Sequence, residues 1–112
     1  MLKKVIPVLP AIDLSQTNLF YKNKLKFDTI FYGTYLIVKK EEAEIHFVEQ
    51  KDAVKFAAAV CRLFDNNLED LYAKFSSMDI IKPGGEIKKN VLGKKEFSIE
   101  DNNGNELKFC EM

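Results

Sequence analysis

The sequence predicts an α+β protein made of two similar halves, each containing a strand, a helix and three further strands. Short helical segments alternate with strands that are mostly antiparallel, which is typical of this fold class. The segment EIHFVEQ (44–50) is repeated as ELKFCEM (106–112), and FYKNKLKFDTI (20–30) is repeated more weakly as LYAKFSSMDII (71–81). Because neither half can bury its apolar face alone, we expect the halves to pack around a shared surface.

The composition indicates a globular chain and excludes several classes of partner. The 112 residues are 46% hydrophobic and 30% charged, which is enough for one domain with a single core. Seventeen acidic and seventeen basic residues give no net charge, so no field favours nucleic acid or an anionic membrane. Apolar runs such as FAAAV (56–60) are too short to span a membrane, and VIPVLPAID (5–13) lacks a signal-peptide core. We expect a cytoplasmic protein whose two cysteines, Cys61 and Cys110, are reduced and buried.

The first half, residues 1 to about 50, begins with a predicted strand in KKVIPVLPAI (3–12). Its prolines cannot donate a main-chain hydrogen bond, so they place the strand at an edge or give it an irregular end. Asp13 or Ser15 can cap the next helix, which is predicted to run to about Leu25. Three strands are then predicted near 27–32, 34–40 and 43–49.

The second half, from about residue 57 to 112, repeats this order. We predict a strand at 58–64, a helix at about 67–76, a short strand near 79–82, and a terminal hairpin within 94–109. Asn103-Gly104 is a pair that tolerates the positive φ angles of a tight hairpin turn. The segment from Asp101 to Asn105 is predicted to be structural, with Asx side chains bonding their own backbone.

Three segments resemble the glyoxalase/bleomycin-resistance/extradiol-dioxygenase superfamily, and its bleomycin-resistance branch in particular. They are VIPVLPAIDLSQTNLFYKNKLKF (5–27), EIHF (44–47) and GKKEFSIEDNNGNEL (93–107), which occur in the family's order over nearly the whole chain. The resemblance implies two βαβββ modules forming cupped mixed sheets, paired in a homodimer. Lys26 replaces a usual Gly and Asn102 a usual Pro. A left-handed backbone at Lys26 would cost about 1 kcal/mol.

The resemblance also implies where a metal would bind in the enzymes of the superfamily. Those positions fall at Ile6, His46, Val60 and Lys108. Ile and Val cannot bind a metal, a protonated Lys repels one, and a single His does not form a site. A shift of one residue in the fifth strand would bring Cys61 to the site, still without other ligands. We therefore predict no metal, no cofactor and no catalytic residues.

The sequence contains no other enzyme motif. G-x-S-x-G, a phosphate loop and a glycine-rich dinucleotide fingerprint are all missing from the 112 residues. Nothing in the sequence brings Cys61 and His46 together as nucleophile and base. We lean towards a protein without catalytic activity.

Strand alternation predicts which side chains line a cavity. If His46 faces it, Glu44 does too, and Lys108 lies on the matching strand of the second half. On the fifth strand we place Val60, Arg62 and Phe64 towards the cavity and Cys61 and Leu63 in the core. We expect Val60, Leu63 and Phe64 to be largely buried. Such a cavity suits a planar or anionic organic molecule. The alternative is that the cations pair with Glu44 and Glu106 across a solvated cleft.

Aromatic side chains flank Gly33 between the second and third strands. By resemblance, this region helps to form a groove between two subunits, which makes Phe31 and Tyr35 candidate ligand contacts. The alternative is that these aromatics belong to the core.

The leading hypothesis is a metal-independent protein of the bleomycin-resistance type that sequesters a small organic ligand, such as an antibiotic, in a cleft at a homodimer interface. Bleomycin is cationic and this chain has no net negative charge, so the class of function is better supported than the drug. The alternatives are a metal-dependent lyase, isomerase or dioxygenase of the same superfamily, and a structural dimer that binds nothing.

Overall fold

Each half of the sequence forms a four-stranded mixed sheet with one helix packed on it. The computed structural model describes residues 1–52 and 55–112. The chain divides into two units, Met1–Ala59 and Val60–Met112. In each unit the first strand pairs in parallel with the fourth, and the remaining pairs are antiparallel. The predicted α+β class and βαβββ order are therefore confirmed.

The first unit has its strands in the order β1-β4-β3-β2. Its elements are β1 (Val8–Ala11), α1 (Leu14–Leu19) with a π-helical turn (Phe20–Lys24), β2 (Asp28–Tyr32), β3 (Tyr35–Lys40) and β4 (Ala43–Glu49). Asp13, rather than Ser15, caps α1, since its Oδ1 accepts from the backbone N–H of Ser15 at 2.9 Å and of Gln16 at 3.3 Å. The first strand is shorter than predicted, although Pro7 still accepts a hydrogen bond from the His46 N–H.

The predicted left-handed residue occurs at Lys26, which has φ of 61°. It follows the π-helical turn, where the Leu25 N–H donates to the Phe20 carbonyl and the Phe27 N–H donates to the Tyr21 carbonyl. This bonding ends the helix and turns the chain into β2. A glycine would adopt the same φ without steric cost.

The core of the first unit lies between the helix and one face of its sheet. Tyr21 is fully buried there, with its ring 4.9 Å from Phe47 and 5.7 Å from Phe27. Leu9, Leu14, Leu36, Val38 and Ile45 complete this buried layer. Because side chains alternate along a strand, Glu44, His46 and Val48 lie on the opposite face.

The second unit has the equivalent order β5-β8-β7-β6. Its elements are β5 (Val60–Asp65), α2 (Leu68–Ser77), β6 (Lys88–Lys89), β7 (Lys95–Glu100) and β8 (Glu106–Glu111). The predicted strand at 79–82 is wrong, because only one isolated bridge forms there, between Ile81 and Ile99. Pro83, which has no N–H, follows this bridge, and the paired strand begins later, at Lys88.

The core of the second unit is mainly aromatic. Phe97 and Phe109 stack in neighbouring strands with their centroids 5.3 Å apart, and Phe75 of α2 lies edge-on to Phe109 at 5.5 Å. Ile99 and Leu107 are fully buried beside them. None of the described helices in 1–52 and 55–112 is long and apolar enough to cross a membrane.

The loop between β7 and β8 is built around Asp101, as the sequence predicts. Its Oδ1 accepts from the N–H of Asn103 at 2.8 Å and of Asn105 at 2.9 Å, and its Oδ2 accepts from the Asn105 side chain at 3.1 Å. Only Gly104, with φ of 82°, takes the positive φ angle, so the two-residue turn predicted at Asn103-Gly104 does not form. Glu100 pairs with Glu106 instead, across a loop of five residues.

Candidate functional site

Each sheet has one face covered by its helix and one face that we call the open face. In the first unit, the open face carries Val8, Ile30, Tyr32 and Val48, all substantially exposed. In the second unit, Val60 is 58% exposed and Phe64 61% exposed on the open face. Apolar side chains exposed in rows are typical of a surface that binds a ligand or another chain.

A chain of short polar contacts crosses the open face of the first unit. The Tyr35 hydroxyl lies 2.6 Å from His46 Nδ1, and His46 Nε2 lies 2.6 Å from Glu44 Oε2. Lys4 Nζ donates to Glu44 Oε1 at 2.8 Å. Hydrogen bonds from Lys4 and His46 lower the pKa of Glu44 to about 2, so its carboxylate is charged throughout the neutral range. The predicted residues Glu44, His46 and Tyr35 are thus brought together, but they already bind one another.

Phe31 lies on the other face of this sheet. It is in register with the buried Leu36, whereas Tyr32 is in register with Tyr35 on the open face. Of the aromatic residues that flank Gly33, Tyr32 therefore shares a face with Tyr35, whereas the candidate contact Phe31 lies on the opposite face. Alternation counted outward from the turn at Gly33 would have assigned Tyr32 to the face of Tyr35.

The fifth strand has the register that the sequence predicts. Arg62 lies on the open face between Val60 and Phe64, and it is in register with Lys108 of β8. Cys61 and Leu63 lie on the helix-covered face and are half-buried. The prediction that Val60 and Phe64 are largely buried is wrong, because no element within this unit covers the open face at these positions.

Arg62 has an acidic partner that the sequence did not reveal. Its Nη2 lies 3.5 Å from Glu96 Oε2 of β7, and 42% of its side chain is exposed. Arg62 is paired, but at a distance and exposure for which an ion pair contributes little to stability. The guanidinium can therefore turn towards a ligand at small cost.

Lys108 and Lys82 converge on a single carboxylate. Lys82 Nζ is 3.1 Å from Glu106 Oε1, and Lys108 Nζ is 3.4 Å from Glu106 Oε2. Burial would raise the pKa of Glu106, but hydrogen bonds from Ser98 and Lys82 and the charge of Lys108 lower it. In the sequence analysis, an ion pair with Glu106 was the alternative to ligand binding for Lys108, and this ion pair is present. Lys82, far away in sequence, was not predicted.

Both cysteines are free thiols. Burial raises the pKa of Cys61 to about 11, with a further contribution from the charge of Asp101. Burial and the neighbouring Glu96 raise the pKa of Cys110. Both side chains are therefore neutral thiols near pH 7, which makes them poor nucleophiles and poor metal ligands.

The side chains at the superfamily's metal positions do not fit a metal. Ile6 and Val60 have no donor atom, Lys108 is paired with Glu106, and both ring nitrogens of His46 lie within hydrogen-bond distance of protein groups. Within 1–52 and 55–112, no three His, Cys, Asp or Glu side chains come together in a group that could hold an ion.

A cleft of about 220 Å³ lies in the second unit, between the open face and the loop that follows β-bridge residue Ile81. The loop is tied to β7 because the Lys82 N–H donates to the Ser98 carbonyl and the Ser98 N–H donates to the Gly85 carbonyl, each at 2.9 Å. A Cβ atom at Gly85 would lie 2.9 Å from the Ser98 oxygen, so this close approach requires glycine. Its polar lining consists of Lys82, Glu86, Lys88, Glu96, Ser98, Glu106 and Lys108.

Comparison with known proteins agrees with this geometry. No model of a known protein family matches the sequence. The chain is 25% identical to a bleomycin resistance protein from Geobacillus stearothermophilus over 125 aligned residues, which include 96% of this chain and 95% of that protein. Bleomycin resistance proteins from Staphylococcus aureus strains MRSA252 and N315 match with the same values.

Solved structures match over the same length. The bleomycin resistance determinant encoded on the transposon Tn5 has a TM-score of 0.83 and 18% identity, with 98% of both chains covered. A bleomycin-binding protein complexed with bleomycin has a TM-score of 0.80 and 19% identity, with 99% of both chains covered. The chain therefore has the fold of the glyoxalase/bleomycin-resistance superfamily and is similar in sequence to its bleomycin resistance proteins. The superfamily fold also matches a lactoylglutathione lyase from Agrobacterium tumefaciens, with a TM-score of 0.78, 12% identity, and coverage of 97% of this chain and 92% of that one.

The resemblance predicted from three sequence segments is thereby confirmed. Each of these structures is less than 25% identical to this chain, so each establishes the fold and leaves the ligand to be argued from the residues present.

Proposed function

We propose that this chain is a member of the glyoxalase/bleomycin-resistance superfamily and a metal-independent small-molecule-binding protein of the bleomycin-resistance type. It sequesters an organic ligand, with antibiotics as the first candidates, in a cleft at the interface of a homodimer. The observation that carries the proposal is the match to bleomycin resistance proteins over 96% of the chain and 95% of the relative. The cytoplasmic location expected from the sequence is part of the proposal.

The open faces supply the reason for a homodimer. Val60 and Phe64 in one unit, and Val8 and Val48 in the other, leave apolar side chains in water. Burying such side chains contributes about 25 cal/mol per Å² of apolar surface, so a second copy that covers them gains stability. Two copies of one chain would form equivalent clefts.

The ligand contacts proposed are the predicted residues on the open faces. Arg62 and Phe64 are exposed side by side on β5, where a planar ligand can stack on Phe64 while its polar groups bind the guanidinium. Lys108 lies next to Arg62 in register. Tyr35, His46 and Glu44 form the equivalent polar group of the first unit. Phe31 is not included, because it lies on the helix-covered face.

The alternatives have less support. A metal-dependent lyase, isomerase or dioxygenase needs ligands at positions that hold Ile6, Val60 and Lys108. A structural dimer without a ligand is compatible with the fold, and only a binding measurement separates it from the proposal.

The test is a calorimetric titration of the purified protein with bleomycin, alone and as its copper complex, followed by a panel of uncharged, cationic and anionic aromatic compounds. Equilibrium ultracentrifugation measures the mass on the same sample. The proposal expects twice the 12.9 kDa of one chain and saturable binding of at least one organic compound. A monomer that binds nothing in the panel would contradict it, and a dimer that binds nothing would support the structural alternative.

A metal assay separates the enzymatic alternative. Turnover of lyase or dioxygenase substrates after incubation with Zn²⁺, Ni²⁺, Mn²⁺ or Fe²⁺ would contradict a non-catalytic binding protein. The proposal expects neither turnover nor one tightly held ion per chain.

A further inference from the structure

We infer that the cleft beside Lys82 binds the acidic group of the ligand, a carboxylate, sulfonate or phosphate carried on an organic body. The inference rests on the proposed function, because it names the chemistry of the ligand at that site. It depends on Lys82, which the sequence did not single out, together with the predicted residue Lys108.

The base of the cleft holds two cations against one carboxylate. The ammonium groups of Lys82 and Lys108 bind opposite oxygens of Glu106, at 3.1 and 3.4 Å, and their side chains stay 35% and 31% exposed. An ammonium group has three donors, and its contact with Glu106 uses one. Each lysine therefore keeps two further donors, and because both side chains line the cleft, an oxyanion there could bridge them.

The other charges of the lining do not cancel this excess. Glu96 lies 3.5 Å from Arg62, so its charge is partly balanced from the far side. Glu86 and Lys88 are both exposed at the rim of the cleft and carry opposite charges. The lining itself has three lysines and three glutamates, and Arg62 beside Glu96 brings the total to four basic and three acidic side chains, a net charge of +1.

Backbone hydrogen bonds fix the loop that forms one wall of the cleft. Backbone hydrogen bonds at both Lys82 and Gly85 hold the loop against Ser98, and a further bond joins the Gly85 N–H to the Lys82 carbonyl at 2.7 Å. Preorganised donors lose less entropy on binding than mobile ones. The volume of about 220 Å³ is below the range of roughly 300–1,000 Å³ for a whole drug-sized ligand, so the cleft suits one group of a larger molecule.

The open face of the first unit has less capacity to bind an acidic group. There Lys4, His46 and Tyr35 are joined to one another or to Glu44 by contacts of 2.6–2.8 Å. A ligand would have to break these short contacts. In the second unit, the contacts at 3.1–3.5 Å leave room for exchange.

The experiment uses naphthalene-2-carboxylate and its neutral analogue naphthalene-2-carboxamide, titrated into the isotopically labelled full chain and followed by NMR. The inference expects the carboxylate to bind at least about 10-fold more tightly, with the largest shifts in the Lys82–Gly85 loop and at Ser98. Equal affinities, shifts confined to other regions, or no binding of either compound would overturn it.

Variants identify the groups responsible. Lys82→Met and Lys108→Met keep most of the aliphatic stem and should each weaken carboxylate binding about 10-fold, with the carboxamide unchanged. Lys89→Met is the matched control, because Lys89 is an exposed lysine of β6 outside the cleft lining. Lys108→Glu should reverse the preference towards cationic compounds. If Lys82→Met and Lys108→Met both bind the carboxylate with the same affinity as Lys89→Met, the assignment of the cleft to an acidic group is refuted.

The outcomes also separate the inference from the proposed function. Saturable binding of bleomycin or of any panel compound, together with carboxylate binding that does not change in Lys82→Met and Lys108→Met, would refute the acidic-group site and leave sequestration standing. Carboxylate binding in the cleft by a protein that ignores bleomycin would support the site and contradict a bleomycin-type ligand.

Discussion

Replacing Asp101 with Ala should destabilise the second unit strongly without any change in ligand chemistry. Asp101 is buried and accepts hydrogen bonds from the backbone N–H groups of Asn103 and Asn105 and from the Asn105 side chain. A buried donor left without an acceptor costs about 1–3 kcal/mol. Since some of the loop can relax towards water, we expect the free energy of unfolding to fall by about 3–5 kcal/mol, a large share of the roughly 5–15 kcal/mol available.

Asp101→Asn is the matched variant for this prediction. It keeps an oxygen for the two backbone N–H groups, but its amide would face the Asn105 side-chain donor. We expect a loss of about 1–2 kcal/mol, between the wild type and Asp101→Ala. Urea unfolding followed by circular dichroism measures both. If the two variants lose equal free energy of unfolding, or if Asp101→Ala loses less than about 1 kcal/mol, the hydrogen bonds of Asp101 do not stabilise the loop as argued.

The remaining predictions concern a ligand contact, a strained residue and a pH dependence. Arg62→Ala should weaken ligand binding by about 1.5–3 kcal/mol in calorimetry. The free energy of unfolding should fall by less than about 1 kcal/mol, because the contact of Arg62 with Glu96 is long. An unchanged affinity would show that Arg62 does not contact the ligand. Lys26→Gly should raise the unfolding free energy by about 1 kcal/mol, since φ is 61° there, and a destabilised variant would count against this reasoning. Glu44 contributes stability above its ordinary pKa of 4.5 that is lost as the pH falls towards about 2, so Glu44→Gln should flatten the fall in stability between pH 5 and 2. Identical pH profiles for the variant and the wild type would contradict the ion pairing of Glu44.

The sequence predicts the strands well where apolar and polar residues alternate. In VCRLFD the alternation puts Arg62 on the face opposite Cys61, and the pairing of β5 with β8 agrees. It predicts β6 poorly, because Lys88-Lys89 has no apolar member and pairs only through its backbone with β7. Alternation also cannot tell whether a face is covered, which is why Phe64 was expected to be buried.

The sequence predicts the part of the candidate site that depends on local strand geometry, but not the part that depends on distant segments. Glu44 and His46 are two residues apart on one strand, so their shared face follows from local geometry. Lys82 reaches Glu106 from a distant segment, through a loop whose position depends on the contact of Gly85 with Ser98. Such long-range contacts depend on tertiary packing and leave no periodic pattern in the sequence.

The central claim is that the open faces bind an organic ligand, and hydrogen exchange of the full chain with and without a saturating ligand from the binding panel tests it most directly. If the ligand binds at the open face of the second unit, amide exchange should slow in β5, β8 and the Lys82–Gly85 loop, with α1 and α2 changed little. Saturable binding accompanied by protection only in the helices, or by no protection in β5 and β8, would contradict it.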